Sequence, residues 1–140
     1  MATVARLLAA SLTLVALGCG SKSPTVPTAA VTLGSEFFAD TLSPQSSAFY
    51  SFVVTDGGTV SLTLASVTGA AGQPVAADLE LGLGIPAGTG CRTSVTVVTR
   101  ASLTAQLAQS AVSGTYCVNI ADTARRLTAP AKFSIRIVHP

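Results

Sequence analysis

An antiparallel all-β sandwich of two sheets is the fold that this sequence predicts for residues 31–140. Three observations point to it. Apolar residues alternate with period two in nearly every segment, as in strands with one face on a core. Clusters of Gly, Pro, Asp and Ser interrupt the alternation at intervals of roughly ten residues. No segment after residue 19 sustains a helical period. About seven to nine strands follow, enough for two packed sheets.

The domain opens with a short strand near Phe37–Leu42. In Ala48–Val54, Tyr50, Phe52 and Val54 share one face. Asp56-Gly57-Gly58 then offers the positive-φ chemistry of a tight hairpin. In Thr59–Val67, Val60, Leu62 and Leu64 face one way, and Ser61 and Thr63 the other. Gly69–Pro74 reads as a loop. In Asp78–Ile85, Leu79, Leu81, Leu83 and Ile85 point to the core, while Asp78, Glu80, Gly82 and Gly84 point out. Pro86–Gly90 is a second loop, and Ser94–Thr99 and Ser102–Ala108 are the next strands. Ser113-Gly114 leads into Thr115–Ile120, with Tyr116, Val118 and Ile120 inside. The last strand, Lys132–Val138, buries Phe133, Ile135 and Ile137 and exposes Lys132, Ser134 and Arg136.

Residues 1–18 have the three parts of a secretory signal. Arg6 supplies the positive charge, Leu7 to Leu17 the apolar stretch, and Gly18 the small residue at the cut. The apolar stretch is too short for a bilayer core, which needs about 20 residues. The run Val15-Ala16-Leu17-Gly18-Cys19 resembles the lipobox of bacterial lipoproteins. That resemblance implies cleavage before Cys19, a diacylglycerol on its thiol, and acylation of the new N-terminus. Gly18 and Cys19 match the pattern, and Ala16 and Leu17 are permitted in a less typical order. The other reading is an ordinary signal peptide cut near Gly20, with Cys19 lost. Two or three acyl chains anchor a protein far more firmly than one. The lipobox reading therefore places the chain in the cell envelope, with membrane lipid as a partner through acylated Cys19. In a Gram-negative envelope, Gly20, where enterobacterial inner-membrane lipoproteins carry Asp, favours the outer membrane; otherwise the anchor places the domain facing the periplasm or at the cell surface. Residues 19–30, polar and interrupted by two prolines, read as lipidated cysteine and extended linker.

The other cysteines follow by parity. The chain has three. With Cys19 lipidated, Cys91 and Cys117 remain in an oxidising compartment and are expected to pair. Cys91 falls in the loop after Ile85, and Cys117 on the outward side of its strand. The bridge is therefore expected to pin a loop onto a sheet surface, outside the core. The alternative is a metal or catalytic pair. Zinc would need further ligands, and His139 is the only histidine. A redox Cys-x-x-Cys is absent from the sequence.

The order of segments resembles the bacterial pre-peptidase C-terminal domain. The residues that carry the resemblance are Tyr50-Ser51-Phe52, Asp78-Leu79-Glu80-Leu81 and Ser113-Gly114-Thr115-Tyr116. It covers residues 35–138. It implies a small jelly-roll-like β-sandwich that serves an accessory, binding or maturation role without catalysis. Some members bind calcium through acidic residues, and Asp78 and Glu80 are the positions here that match. Glu80 stands where a second Asp is commoner, and Ser113 where Pro is usual.

Composition excludes several functions. Residues 31–140 carry about as many acids as bases, so there is no electrostatic case for nucleic acid. Only 10% of the chain is charged, and Thr and Ser fill the polar positions. There is no Trp, and Tyr50 and Tyr116 are the only tyrosines to stack on a sugar. Serine catalysis needs a base held by an acid, and His139, next to the C-terminal residue, is expected to fray. Asp78 and Glu80 as a glycosidase pair lack an aromatic cleft. Arg125-Arg126 could touch an anionic polymer but reads more simply as solvated loop. No enzyme is expected. The sequence points to a membrane-anchored, exported lipoprotein whose sandwich binds an envelope protein or polysaccharide or serves structurally. The alternatives are a carbohydrate-binding module and a hydrolase accessory domain with weak calcium binding.

Overall fold

The structure, a computed structural model, describes residues 31–140. The expected signal peptide, Cys19 anchor and linker lie outside the described residues. Eight strands are present: β1 Gly34–Leu42, β2 Ser47–Val54, β3 Gly58–Thr68, β4 Leu79–Ala87, β5 Gly90–Thr99, β6 Leu107–Ala111, β7 Gly114–Ala121 and β8 Ala131–His139. They form two antiparallel sheets of four, ordered β1-β8-β3-β6 and β2-β7-β4-β5. The two-sheet sandwich is as the alternation predicts. The chain crosses between sheets at every connection except β4 to β5.

Pairing register decides which side chains meet in the core. In one sheet Leu62 lies opposite Ile137 and Leu64 opposite Ile135. In the other, Leu81 lies opposite Ile120 and Leu83 opposite Val118. All eight are fully or almost fully buried. A bulge between Leu64 and Ser66 shifts the phase of β3, so Val67, an odd position, turns inward after the even positions 60, 62 and 64. Phe38 of β1 stacks on Tyr50 of β2 with ring centroids 5.5 Å apart and meets Phe133 edge-on at 5.0 Å. These aromatic contacts close the β1–β2 side of the sandwich.

Several local expectations are corrected. Asp56-Gly57-Gly58 is not a hairpin, because β2 and β3 belong to different sheets. Neither glycine there has positive φ. Gly58 is instead needed for close approach: a Cβ on it would sit 2.6 Å from the Pro140 ring. Of the strand expected at Ser102–Ala108 only Leu107 and Ala108 are strand, at the start of β6, and Leu103 is 90% exposed. The Gln106 side chain substitutes for the missing ladder: Leu64 N–H donates to its Oε1 at 2.8 Å. Its Nε2 in turn donates to the carbonyl oxygens of Leu64 and Arg100. Buried backbone donors need partners, and a side-chain amide presents the same two groups as a peptide.

The expected loop Pro86–Gly90 is largely strand. Ala87 pairs with Gly90, leaving Gly88-Thr89 as a two-residue turn with Gly88 at φ 59°. A positive φ at the first central position is what such a hairpin asks of glycine. Cys91 therefore lies in β5, not in a loop. Ile85, expected inside, is 53% exposed. Past Gly84, β4 keeps β5 as a partner but loses β7, so the hairpin end leaves the layer that the facing sheet covers.

Candidate functional site

The outer face of the β2-β7-β4-β5 sheet carries the most built-up surface. The pairing of β4 with β5 shifts register between Leu83 and Gly84, with Ser94 as the extra residue. The Ser94 hydroxyl donates to the Leu83 carbonyl oxygen at 3.2 Å and fixes the irregularity. Beyond it the hairpin bends back across the face of its own sheet. Gly84 permits this bend: a Cβ there would collide with the Arg92 carbonyl group and the Thr93 Cα.

The bend brings Cys91 to Cys117 of β7, and the two form a disulfide with Cα atoms 5.8 Å apart. The pairing and its place outside the core agree with the sequence expectation. Cys117, though, is fully buried. The alternation places it correctly on the outer side, but the folded-over hairpin covers it.

Next to this strap lies a depression of about 490 Å³. It is lined by Glu80 of β4, Asn119 and Ala121 of β7, Ser47 of β2 and Thr123, among others. Thr123 donates its hydroxyl to Glu80 Oε2 at 3.4 Å. Phe49, 40% exposed, is directly opposite Asn119 in the β2–β7 register. Directly opposed residues have Cβ atoms roughly 5 Å apart, so ring and amide are side by side.

Asp122 organises the end of this depression. It is buried and accepts three backbone N–H bonds: from Gln45 at 3.1 Å, Arg126 at 2.6 Å and Leu127 at 3.3 Å. Burial alone pushes its carboxyl up, but the three N–H groups outweigh that and hold it below the usual carboxylate range. Among the described residues, the two non-glycine residues with positive φ, Gln45 at 59° and Arg125 at 55°, stand in the two loops that Asp122 ties.

The residues expected to hold calcium have other partners. Asp78, just ahead of β4, accepts from Arg100 Nε at 2.6 Å and Nη2 at 3.0 Å. That hydrogen-bonded guanidinium holds its carboxyl below the ordinary range. Calcium at this face would have to compete with Arg100 for Asp78. Among the described residues no three of His, Cys, Asp and Glu gather to hold a metal ion.

His139 is not frayed, as expected from its position, but buried in β8. Its Nε2 lies 3.0 Å from Glu36 Oε1 and its Nδ1 3.2 Å from the Pro140 carbonyl oxygen. Its ring packs against Phe52 at 5.2 Å. Glu36 Oε2 accepts from the Tyr50 hydroxyl at 2.7 Å. Sequence reasoning missed Glu36, yet a signal was there: it shares period-two phase with Phe38, which points inward. An inward carboxylate calls for partners.

What fold and site define is a disulfide-strapped β-sandwich with a polar depression beside the strap. No protein-family model matches the chain. No curated protein matches it either.

Proposed function

We propose that the chain is an exported lipoprotein, anchored in the cell envelope through acylated Cys19, whose β-sandwich is a non-catalytic binding or accessory module. The observation that carries this reading is the Cys91–Cys117 bridge. A protein with three cysteines and one disulfide has a single cysteine left over. That cysteine stands at the end of Val15-Ala16-Leu17-Gly18-Cys19, the lipobox-like run. A disulfide also suits an exported protein rather than a cytosolic one.

The non-catalytic part rests on how the chemically able groups are engaged. His139 packs between Glu36, Phe52 and Pro140 at the end of β8. Asp122 is consumed by backbone N–H groups, and Asp78 by Arg100. The likeness to the pre-peptidase C-terminal domain supports an accessory role and a jelly-roll-like wiring. In line with it, Tyr50-Ser51-Phe52 falls on β2, Leu79-Glu80-Leu81 on β4 and Gly114-Thr115-Tyr116 on β7.

The test is fractionation of cells producing the full chain or Cys19→Ser. The natural chain should sediment with membranes and partition into detergent, and the variant should be released. Equal distribution of the two would overturn the anchor.

A further inference from the structure

We infer that the depression beside the disulfide strap is a saccharide-binding groove, with Phe49 as its stacking platform. This rests on the reading of the domain as a binding module and names its ligand class. Binding sites of this size are concave and fix their ligand through a few placed polar groups. Here Glu80, Asn119, Ser47 and Thr123 are among its lining residues. A carboxylate accepts hydrogen bonds, an amide both donates and accepts, and hydroxyls do either. That set matches sugar hydroxyls, which also act in both senses. Among the described residues the Asn119 amide and the Ser47 hydroxyl make no side-chain hydrogen bond, and no buried polar side-chain atom lacks a partner. Both groups are thus open to solvent.

Phe49 supplies what hydroxyls do not. A pyranose has a hydroxyl rim and a C–H face, and an exposed ring beside polar groups suits both at once. Phe49 is opposite Asn119, a residue that lines the groove, in the β2–β7 register. The sequence lacks Trp, but Phe serves the same geometry with less area.

Charge on the groove is sparse. Along the outward positions of β2, β7 and β4, Glu80 is the only charged residue. Asp122 at the end of the groove is turned to backbone donors. Lys132 and Arg136 lie on β8, in the other sheet. The cations near the groove are Arg92, next to Cys91 in β5, and Arg126, whose charge acts on Asp122. The strap keeps the groove in shape: the disulfide fixes one wall, and the Asp122 ties fix the loops of the other.

The experiment uses the purified full chain in detergent on a panel of immobilised polysaccharides: mixed-linkage β-glucan, starch, galactomannan, xylan and peptidoglycan sacculi. Phe49→Ala and Asn119→Ala are compared with Phe37→Ala, which removes a 65% exposed ring from the other sheet. Thermal melting checks that each variant is folded. The inference expects retention on at least one polysaccharide and release by its soluble fragments. It expects loss of tenfold or more in affinity for Phe49→Ala and Asn119→Ala, with Phe37→Ala unchanged. No retention of the folded chain on any of these would overturn it. So would equal binding by all variants, or equal loss in Phe37→Ala. A chain that sediments with membranes but binds no polysaccharide overturns this inference and leaves the anchored-lipoprotein reading standing.

Discussion

The Tyr50 hydroxyl donates to Glu36 at 2.7 Å, and this bond joins the two sheets at their β1–β2 side. Glu36 spends its second oxygen on His139, 3.0 Å away in β8. One carboxylate thus links β1 to β2 and to β8. The hydrogen bond to Glu36, and the carboxylate's charge, push the Tyr50 phenol above its ordinary value of 10.0.

A phenolate absorbance titration should therefore show the shift of Tyr50. Tyr50 should ionise later than an ordinary tyrosine. Because its folded pKa is raised, its contribution to stability is present below the unfolded value. It is lost as pH rises through the folded one. Glu36→Gln should return Tyr50 toward 10 and cost about 1 kcal/mol at neutral pH, since the bond is partly exposed. Titration of Tyr50 at the ordinary value in the natural chain would sink the idea.

Asp122 governs the acid side. Its folded pKa is lowered, so its stabilisation is present above the unfolded value near 3.8 and lost as pH falls through the folded value. Melting of the natural chain should therefore weaken steeply below about pH 4. Asp122→Asn should cost about 2–4 kcal/mol at pH 7. The amide keeps one acceptor but turns an NH₂ toward backbone N–H groups that the carboxylate accepts. The variant should lose less than the natural chain between pH 5 and pH 3, and a parallel acid profile would count against this role. Asp78, also lowered but exposed beside Arg100, should contribute little.

Much of the sandwich was legible because period two reports burial directly. Leu79, Leu81 and Leu83, or Phe133, Ile135 and Ile137, need only a strand with one wet face. What was illegible depends on neighbours far along the chain. Asp56-Gly57-Gly58 has hairpin chemistry, yet β2 and β3 part into different sheets, and Gly58 answers to Pro140 instead. Ile85 keeps the alternation but has outrun the facing sheet. His139 is fixed by Glu36, 103 residues away, which no local pattern announces. The disulfide was readable from cysteine parity. The groove beside it was not, since it depends on a bulge at Ser94 and a bare Cα at Gly84.

Gly84 should tolerate no side chain. A Cβ there meets backbone atoms of Arg92 and Thr93, which cannot swing aside as a side-chain tip can. Gly84→Ala should cost about 2–4 kcal/mol, more than overpacking in a deformable core. Amide hydrogen exchange should place the added motion in the β4–β5 hairpin, with β3 and β8 still protected. An alanine variant as stable as the natural chain would mean that the hairpin does not fold over the face.

The strap itself can be tested through its coupling to Gly84. Cys91 and Cys117 enclose a 26-residue separation, for which chain entropy gives about 3.5 kcal/mol. The Cys91→Ala/Cys117→Ala double variant should therefore melt lower by something on the order of 15 °C for a domain of this size. The same hairpin bend that brings the cysteines together presses β5 onto Gly84. Once the bridge is gone the hairpin can lift, and a methyl at position 84 then has room. The two changes should be less than additive, with an interaction of about 1–2 kcal/mol in a double-mutant cycle. Chemical denaturation of the four proteins measures it. Strict additivity would show that the bridge and the bare Cα act independently. In that case the fold-over would not be the common cause of both.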